Sequence, residues 1–269
     1  MANVDRTTTT RALEDAWTSL LAITAELDEE DWSTPTACPG WTVADVVAHV
    51  IGTEHMLAGE QVPDVEIGEV PHVRNAIGEF NERWIVSLRG TPPAELWEEL
   101  ESVVGSRLAL LGAMEDHEWD AEAWTPAGPD TYGRFMRIRV FDTWMHEQDI
   151  RHATGRPETC TGAAFEASLD EIASVMPYVV GKLGGAPDGT RLELRLEGPS
   201  PRTIAIVVDG RARLVEDFDG AEPTVTIQLS VADFRRLIGS RVDPSEAKVT
   251  VTGDVAVGEE IVANLGYVI

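Results

Sequence analysis

The hydrophobic period of this chain changes once, and that change limits what each part can fold into. Up to about residue 183, apolar side chains recur three and four apart, the spacing of helices buried along one stripe; beyond it they alternate, as on strands buried on one face. Leu13, Trp17, Leu20, Leu21, Thr24 and Leu27 make one helical stripe, and Val43, Val46, Val47, Val50 and Leu57 make another on a helix expected over residues 43–59. Thr42, with Asp45 three residues on, has the pattern of a capping box. Further helices are expected over 75–89, 94–113, 134–153 and 163–183, with 115–133 a tryptophan-bearing loop. The run Gly184-Gly185-Ala186-Pro187-Asp188-Gly189 reads as punctuation between domains. After it Leu192, Leu194 and Leu196, then Ile204, Ile206 and Val208, then Val225, Ile227 and Leu229 alternate, with a hairpin turn at Asp209-Gly210. Val249 and Val251 mark another strand, and 231–238 and 257–265 read as short helices. The expectation is an all-α domain over 1–184 and a small α+β domain over 185–269.

A formal charge of -26 over 269 residues repels phosphate backbones and anionic membrane leaflets, so neither nucleic acid nor a membrane surface is an expected partner. Two cysteines, Cys38 and Cys160, are too few for a disulfide framework. The N-terminus has no cationic start followed by an apolar block, and no stretch approaches the roughly 18 uninterrupted apolar residues of a membrane span. A cytoplasmic protein acting on a small molecule, as a monomer or homodimer, is expected. A Gly-rich phosphate loop, a Gly-x-Ser-x-Gly elbow and a Cys-x-x-Cys pair are all missing, which counts against nucleotide-dependent and α/β-hydrolase chemistry.

The helix expected over 134–153 carries the chemistry. At about 100° per residue, Phe135, Ile138, Arg139, Asp142, Met145, His146, Asp149 and Ala153 fall within an arc of roughly 120°. Half of these are charged or titratable, and burying them without partners would cost several kcal/mol each. Asp142 and His146, four apart, project from one face, as two ligands for one metal would. His49, at the flank of the Val43/Val46/Val50 stripe, is the natural third ligand. Two ligands from one helix and one from a neighbour leave open positions, which is a catalytic arrangement. The plainer alternatives are a hydrogen-bonded core histidine and a helix-surface Asp/His pair. Around this set, Asp149 one turn beyond His146 is placed to orient the imidazole, and Glu54 is either a base beside the site or a partner for Arg139. Cys38 precedes a helix N-terminus, which would lower a thiol pKa, although loop cysteines are commonly inert. His55, His72, His117 and His152 have no partner at ligand spacing and are expected to be solvated.

Three segments carry a resemblance. TPTACPGWTVADVVAHVIGTEHMLAG, with its Cys-Pro-Gly-Trp entry and His49 in mid-helix, resembles the second helix of DinB-like metalloenzymes, and of the mycothiol-dependent maleylpyruvate isomerase family in particular. RIRVFDTWMHEQDIRHATGRP resembles that family's second signature, and TVTIQLSVADFRRLIGSRVDP with VTVTGD is similar to the sterol-carrier-like domain that follows the bundle. The resemblance implies an N-terminal four-helix bundle binding a divalent ion, usually zinc, through His49, Asp142 and His146. It also implies mycothiol as the thiol cosubstrate. The isomerase itself has Glu where this chain has Asp142. Family isomerases use an arginine of the C-terminal domain to handle a dianionic substrate. Here the last arginine is Arg241 and the closing segment GDVAVGEEIVANLGYVI has no cation. The leading expectation is therefore thiolate addition to a neutral or weakly charged electrophile, an S-transferase reaction. Maleylpyruvate isomerisation is the alternative, and a non-catalytic small-molecule-binding module is the second alternative.

Overall fold

A computed structural model describes residues 4–268. The chain divides into two compact units, one up to Ser168 and one from Leu169 onward. The division falls inside a helix rather than at the Gly184-Gly185 punctuation, so residues 169–184 are counted with the second unit.

The first unit holds the helices α1 (Arg6–Ala25), α2 (Glu29–Trp32), α3 (Val43–Leu57), α4 (Ala76–Leu88), α5 (Pro93–Ala113), α6 (Asp116–Trp119) and α7 (Tyr132–Ala153). The long helices α1, α3, α5 and α7 pack together as a bundle, with α4 laid on α3. Leu13, Trp17 and Leu20 of α1 and Val43, Val46, Val47 and Val50 of α3 are fully buried, as their spacing requires. The tryptophan-bearing stretch is a correction. It contains α6 and a hairpin of β1 (Glu122–Thr125) and β2 (Gly128–Thr131), joined by Pro126-Ala127. Strands of four residues that include Pro129 and Asp130 carry almost no sequence signal, because both residues are poor strand formers.

Helix α8 (Ala163–Tyr178) continues into one π-helical turn, Val179–Leu183. Pro177 inside α8 has no N–H to donate, and the widened turn follows within two residues of it. The second unit then folds around a mixed sheet of β3 (Arg191–Glu197), β4 (Arg202–Asp209), β5 (Arg211–Val215), β6 (Val225–Ser230) and β7 (Val249–Gly253), in the order β5-β4-β3-β6-β7. Among the described residues of this sheet, only β3 and β6 run parallel. Leu192, Leu194 and Leu196 alternate inward, as do Val225, Ile227 and Leu229. Helix α9 (Val231–Ile238) follows β6 directly, and α10 (Val255–Ala263) follows β7. No helix among the described residues is long and apolar enough to cross a membrane.

The seating of α3 depends on Gly52. A β-carbon there would lie 2.4 Å from Cβ of Trp84 on α4, an atom at the root of its side chain that cannot swing away. Gly52→Ala should therefore lower stability by about 1–3 kcal/mol despite the better helix propensity of alanine, read as a drop in Tm in thermal denaturation.

Candidate metal centre

The entry to α3 is built by a turn. Residues 35 and 42 form an isolated antiparallel bridge, Trp41 N–H donates to the Cys38 carbonyl at 3.0 Å, and Gly40 takes the left-handed conformation at φ +79°. A side chain at Gly40 would be strained by that φ and would also meet the His72 ring at 2.8 Å. Thr42 then caps α3, its hydroxyl accepting from Asp45 N–H while the Asp45 carboxylate accepts from Thr42 N–H at 2.9 Å. The Cys-Pro-Gly-Trp run thus sets the Cys38 thiol and the Trp41 ring beside the start of α3.

Six residues beyond the start of α3, His49 meets α7. Its Nε2 lies 3.4 Å from Asp142 Oδ2, and His146 Nε2 lies 3.6 Å from Asp142 Oδ1. The two imidazole rings are 4.7 Å apart. One ligand-type atom from each of His49, Asp142 and His146 lies within 4.8 Å of the others, so the three can reach one ion. Both histidines are buried, and neither ring nitrogen of His49 makes a well-formed hydrogen bond. A buried imidazole left so is costly on its own and fits an ion as its missing partner. The Trp41 ring sits 5.3 Å from the His49 ring and 6.0 Å from the His146 ring, forming an aromatic wall beside both.

The other side of His146 is also engaged. Its Nδ1 lies 3.4 Å from Asp149 Oδ2, which accepts from the Cys38 thiol at 3.2 Å. Cys38, His146 and Asp149 form a second group of ligand types at metal-binding distance, but they share His146 with the first, and Asp149 is already satisfied by thiol and imidazole. Arg139 donates through Nε and Nη2 to Glu54 Oε1 at 3.2 and 2.8 Å, and its Nη1 binds Asp142 Oδ2.

These surroundings drive the titrations apart. Burial lowers the pKa of His49, outweighing the pull of Asp142. Burial acts the same way on His146, yet Asp142, Asp149 and Cys38 together raise it well above the ordinary histidine value. Asp142 loses water too, but Arg139 and the two histidines hold its pKa well below the carboxylate range.

His49, Asp142, His146, Asp149, Arg139 and Glu54, all singled out from the sequence, lie in or directly against this cluster, and so does Cys38. The expectation for the remaining histidines divides. His117 and His152 are exposed, as expected, whereas His55 and His72 are half-buried. His55 lies between Glu60 and Glu99 at 2.6 and 2.9 Å, and His72 Nε2 contacts Glu82 at 3.0 Å; none of these partners stands three or four residues away on the same helix, the spacing that a sequence pattern reveals. Two participants were missed outright. Trp41 stands in the Cys-Pro-Gly-Trp motif without any sign there of its place beside the histidines, whereas Arg107 gave a direct signal. It occupies a core position of the stripe Leu96, Leu100, Val104 and Leu111 on α5, where an apolar residue belongs.

A bundle that gathers two histidines and an aspartate from two helices, followed by an α+β unit on a five-stranded sheet, is a DinB-like helical domain joined to a small C-terminal domain. The chain belongs to the mycothiol maleylpyruvate isomerase family: the model of that family's N-terminal domain matches residues 13–151, and the model of its C-terminal domain matches residues 166–260. It is similar to the uncharacterized proteins MT0041 and Rv0036c of Mycobacterium tuberculosis strains CDC 1551 / Oshkosh and ATCC 25618 / H37Rv. Each is 28% identical over 186 residues, 68% of this chain and 70% of the relative. Among solved structures, the fold is similar to a crystal structure of the mycothiol-dependent maleylpyruvate isomerase, at TM-score 0.62 and 19% identity, covering 92% of this chain and 93% of that one. A mutant of that enzyme matches over the same shares at TM-score 0.58 and 17% identity.

The opposed histidine shifts give a measurable pH dependence in protein stripped of metal by a chelator. The raised pKa of His146 contributes stability that is present in full below the ordinary value of 6.5 and lost as pH rises through the raised value. The lowered pKa of His49 acts in the opposite sense, disfavouring the fold only below 6.5. Of the two histidines, only His146 changes its contribution above that pH. Denaturant unfolding of chelated protein should show stability declining as pH rises from about 6.5, and His146→Gln should remove that decline.

Proposed function

We propose that this chain is a metal-dependent isomerase that uses mycothiol as its thiol cosubstrate and acts on a cis-unsaturated acid of the maleylpyruvate type. The observation that carries the reading is the convergence of His49, Asp142 and His146 from two helices, with neither nitrogen of buried His49 in a well-formed hydrogen bond. Three protein ligands of this kind suit a divalent ion with positions left open, and zinc accepts this mixture of imidazole and carboxylate. When bound, such an ion supplies the Lewis acidity that keeps a thiol ionised at neutral pH. Family membership and likeness to the isomerase fold support mycothiol as the thiol.

The chain's own groups have definable parts. His49, Asp142 and His146 would hold the ion, and Asp149 would accept from His146 Nδ1–H, keeping the proton on that nitrogen so that Nε2 presents its lone pair. Trp41 bounds the cluster with a rigid aromatic face. In the reaction, the thiolate sulfur bonds to one carbon of the cis double bond and electron density moves onto the conjugated carbonyl. The new single bond rotates, and the same C–S bond breaks as the double bond re-forms in the trans geometry. The thiol is returned unchanged.

Thiol transfer, in which the adduct is retained, is the weaker reading. It rested on the cation-free closing segment, yet the α+β unit carries Arg235 and Arg236 on α9 and Arg241 just beyond it. The family and the similar fold both belong to isomerases. Purified protein should carry about one divalent ion per chain and, with mycothiol, convert maleylpyruvate to fumarylpyruvate. His49→Ala, Asp142→Ala and His146→Ala should each lose most of the metal and the activity, checked by elemental analysis and by following the isomerisation. Metal retained in all three variants would refute the ligand set. Thiol conjugation of neutral electrophiles without isomerisation would return the reaction to transfer.

A further inference from the structure

Beyond the cluster, buried charge continues into the bundle as a chain of alternating sign. Arg107 is 4% exposed, and its Nε donates to Glu54 Oε2 at 2.8 Å while its Nη2 donates to the Glu54 backbone carbonyl at 3.0 Å. Its Nη1 reaches the Tyr132 hydroxyl at 3.3 Å. Glu54, 2% exposed, gives its other oxygen to Nε and Nη2 of Arg139, whose remaining Nη1 binds Asp142 Oδ2. Arg107, Glu54, Arg139 and Asp142 thus link α5, α3 and α7.

Two effects run along this chain toward the cluster. One edge of the Arg139 guanidinium is occupied by Glu54, which itself cannot turn because Arg107 holds its second oxygen, so the direction of Nη1 is set. The charge of Arg139, lying beside a cluster suited to a cation, is also offset by Glu54, which weakens its repulsion of a metal ion. We propose that Arg107 and Glu54 are positioning residues for the metal centre, fixing Arg139 so that it retains Asp142 Oδ2 and leaves Oδ1, 3.6 Å from His146 Nε2, as the oxygen offered to the ion. This rests on the reading of His49, Asp142 and His146 as ligands.

The test compares wild type, Glu54→Gln and the double variant Glu54→Met with Arg107→Met. The double variant removes Arg107 and Glu54 together, so that neither is left buried without the other and Arg139 keeps Asp142 as its anion, a replacement that buried pairs commonly tolerate. Metal-free proteins, with folding checked by circular dichroism, are titrated with Zn2+ against a chromophoric chelator, and the absorption spectrum of the Co2+ form reads the coordination directly. Both variants should bind Zn2+ about 10- to 100-fold more weakly than wild type and show an altered Co2+ spectrum. Wild-type affinity and spectrum in a folded variant would make the relay a packing element and overturn the proposal, with the ligand set intact. Failure of wild type itself to bind Zn2+ would overturn the ligand reading, and this proposal with it.

Discussion

A guanidinium at the centre of a helical bundle sets the terms for much of the first unit. Arg139 is 2% exposed and always charged, so it is tolerable there only if anions replace the water it has lost. Its own helix supplies one, Asp142. The other must come from a neighbour, and Glu54 on α3 provides it. Glu54, as deeply buried, then needs more than a single cation, and Arg107 on α5 completes it. Three helices are therefore registered against one another by charge as well as by apolar packing. Leaving any one of these groups buried alone would cost about 3–5 kcal/mol, comparable to a good part of the stability of a domain.

The same low-dielectric setting separates two histidines that are chemically identical. His49 and His146 face each other across a few ångströms, yet one is pushed toward the neutral form and the other toward the charged form. The difference lies in what stands behind each ring. His146 has Asp149 and the Cys38 thiol at its far nitrogen, whereas His49 has no acceptor that completes it. An ion would need both as neutral donors. Its arrival would therefore expel the proton from His146 while satisfying His49, and occupancy and protonation would be linked at this site.

The fold was largely legible because the hydrophobic period states it directly: strict spacing marked α3 and α7, and alternation marked the inner faces of β3, β4 and β6. The cluster was legible because charged residues in an apolar arc demand an explanation, and Asp142, His146 and Asp149 stood in such an arc. The losses have physical causes. The β1–β2 hairpin is too short to have a period, and Pro129 works against it. The π turn after α8 needs the chain's three-dimensional course as well as the presence of Pro177. The Trp41 indole is held in place by a partner forty-one residues away, Glu82. Arg107 was a charge in a stripe of leucines, the same anomaly that led to Arg139, and could have been read the same way.

Glu82 joins two features that the chain presents separately. It is 1% exposed, and a single oxygen accepts both from the Trp41 indole at 3.1 Å and from His72 at 3.0 Å. His72 in turn covers Gly40, one residue before Trp41. The connection between α3 and α4 and the aromatic wall of the cluster are thereby made parts of one local unit. A change at residue 72 is felt at residue 41, although nothing in the primary structure connects them. Substitutions at 40, 41, 72 and 82 should then be inherited as a set, the effect of each depending on the state of the other three. The long connection, which looks like the most freely drifting stretch of the helical unit, is tethered to its chemistry at this one point.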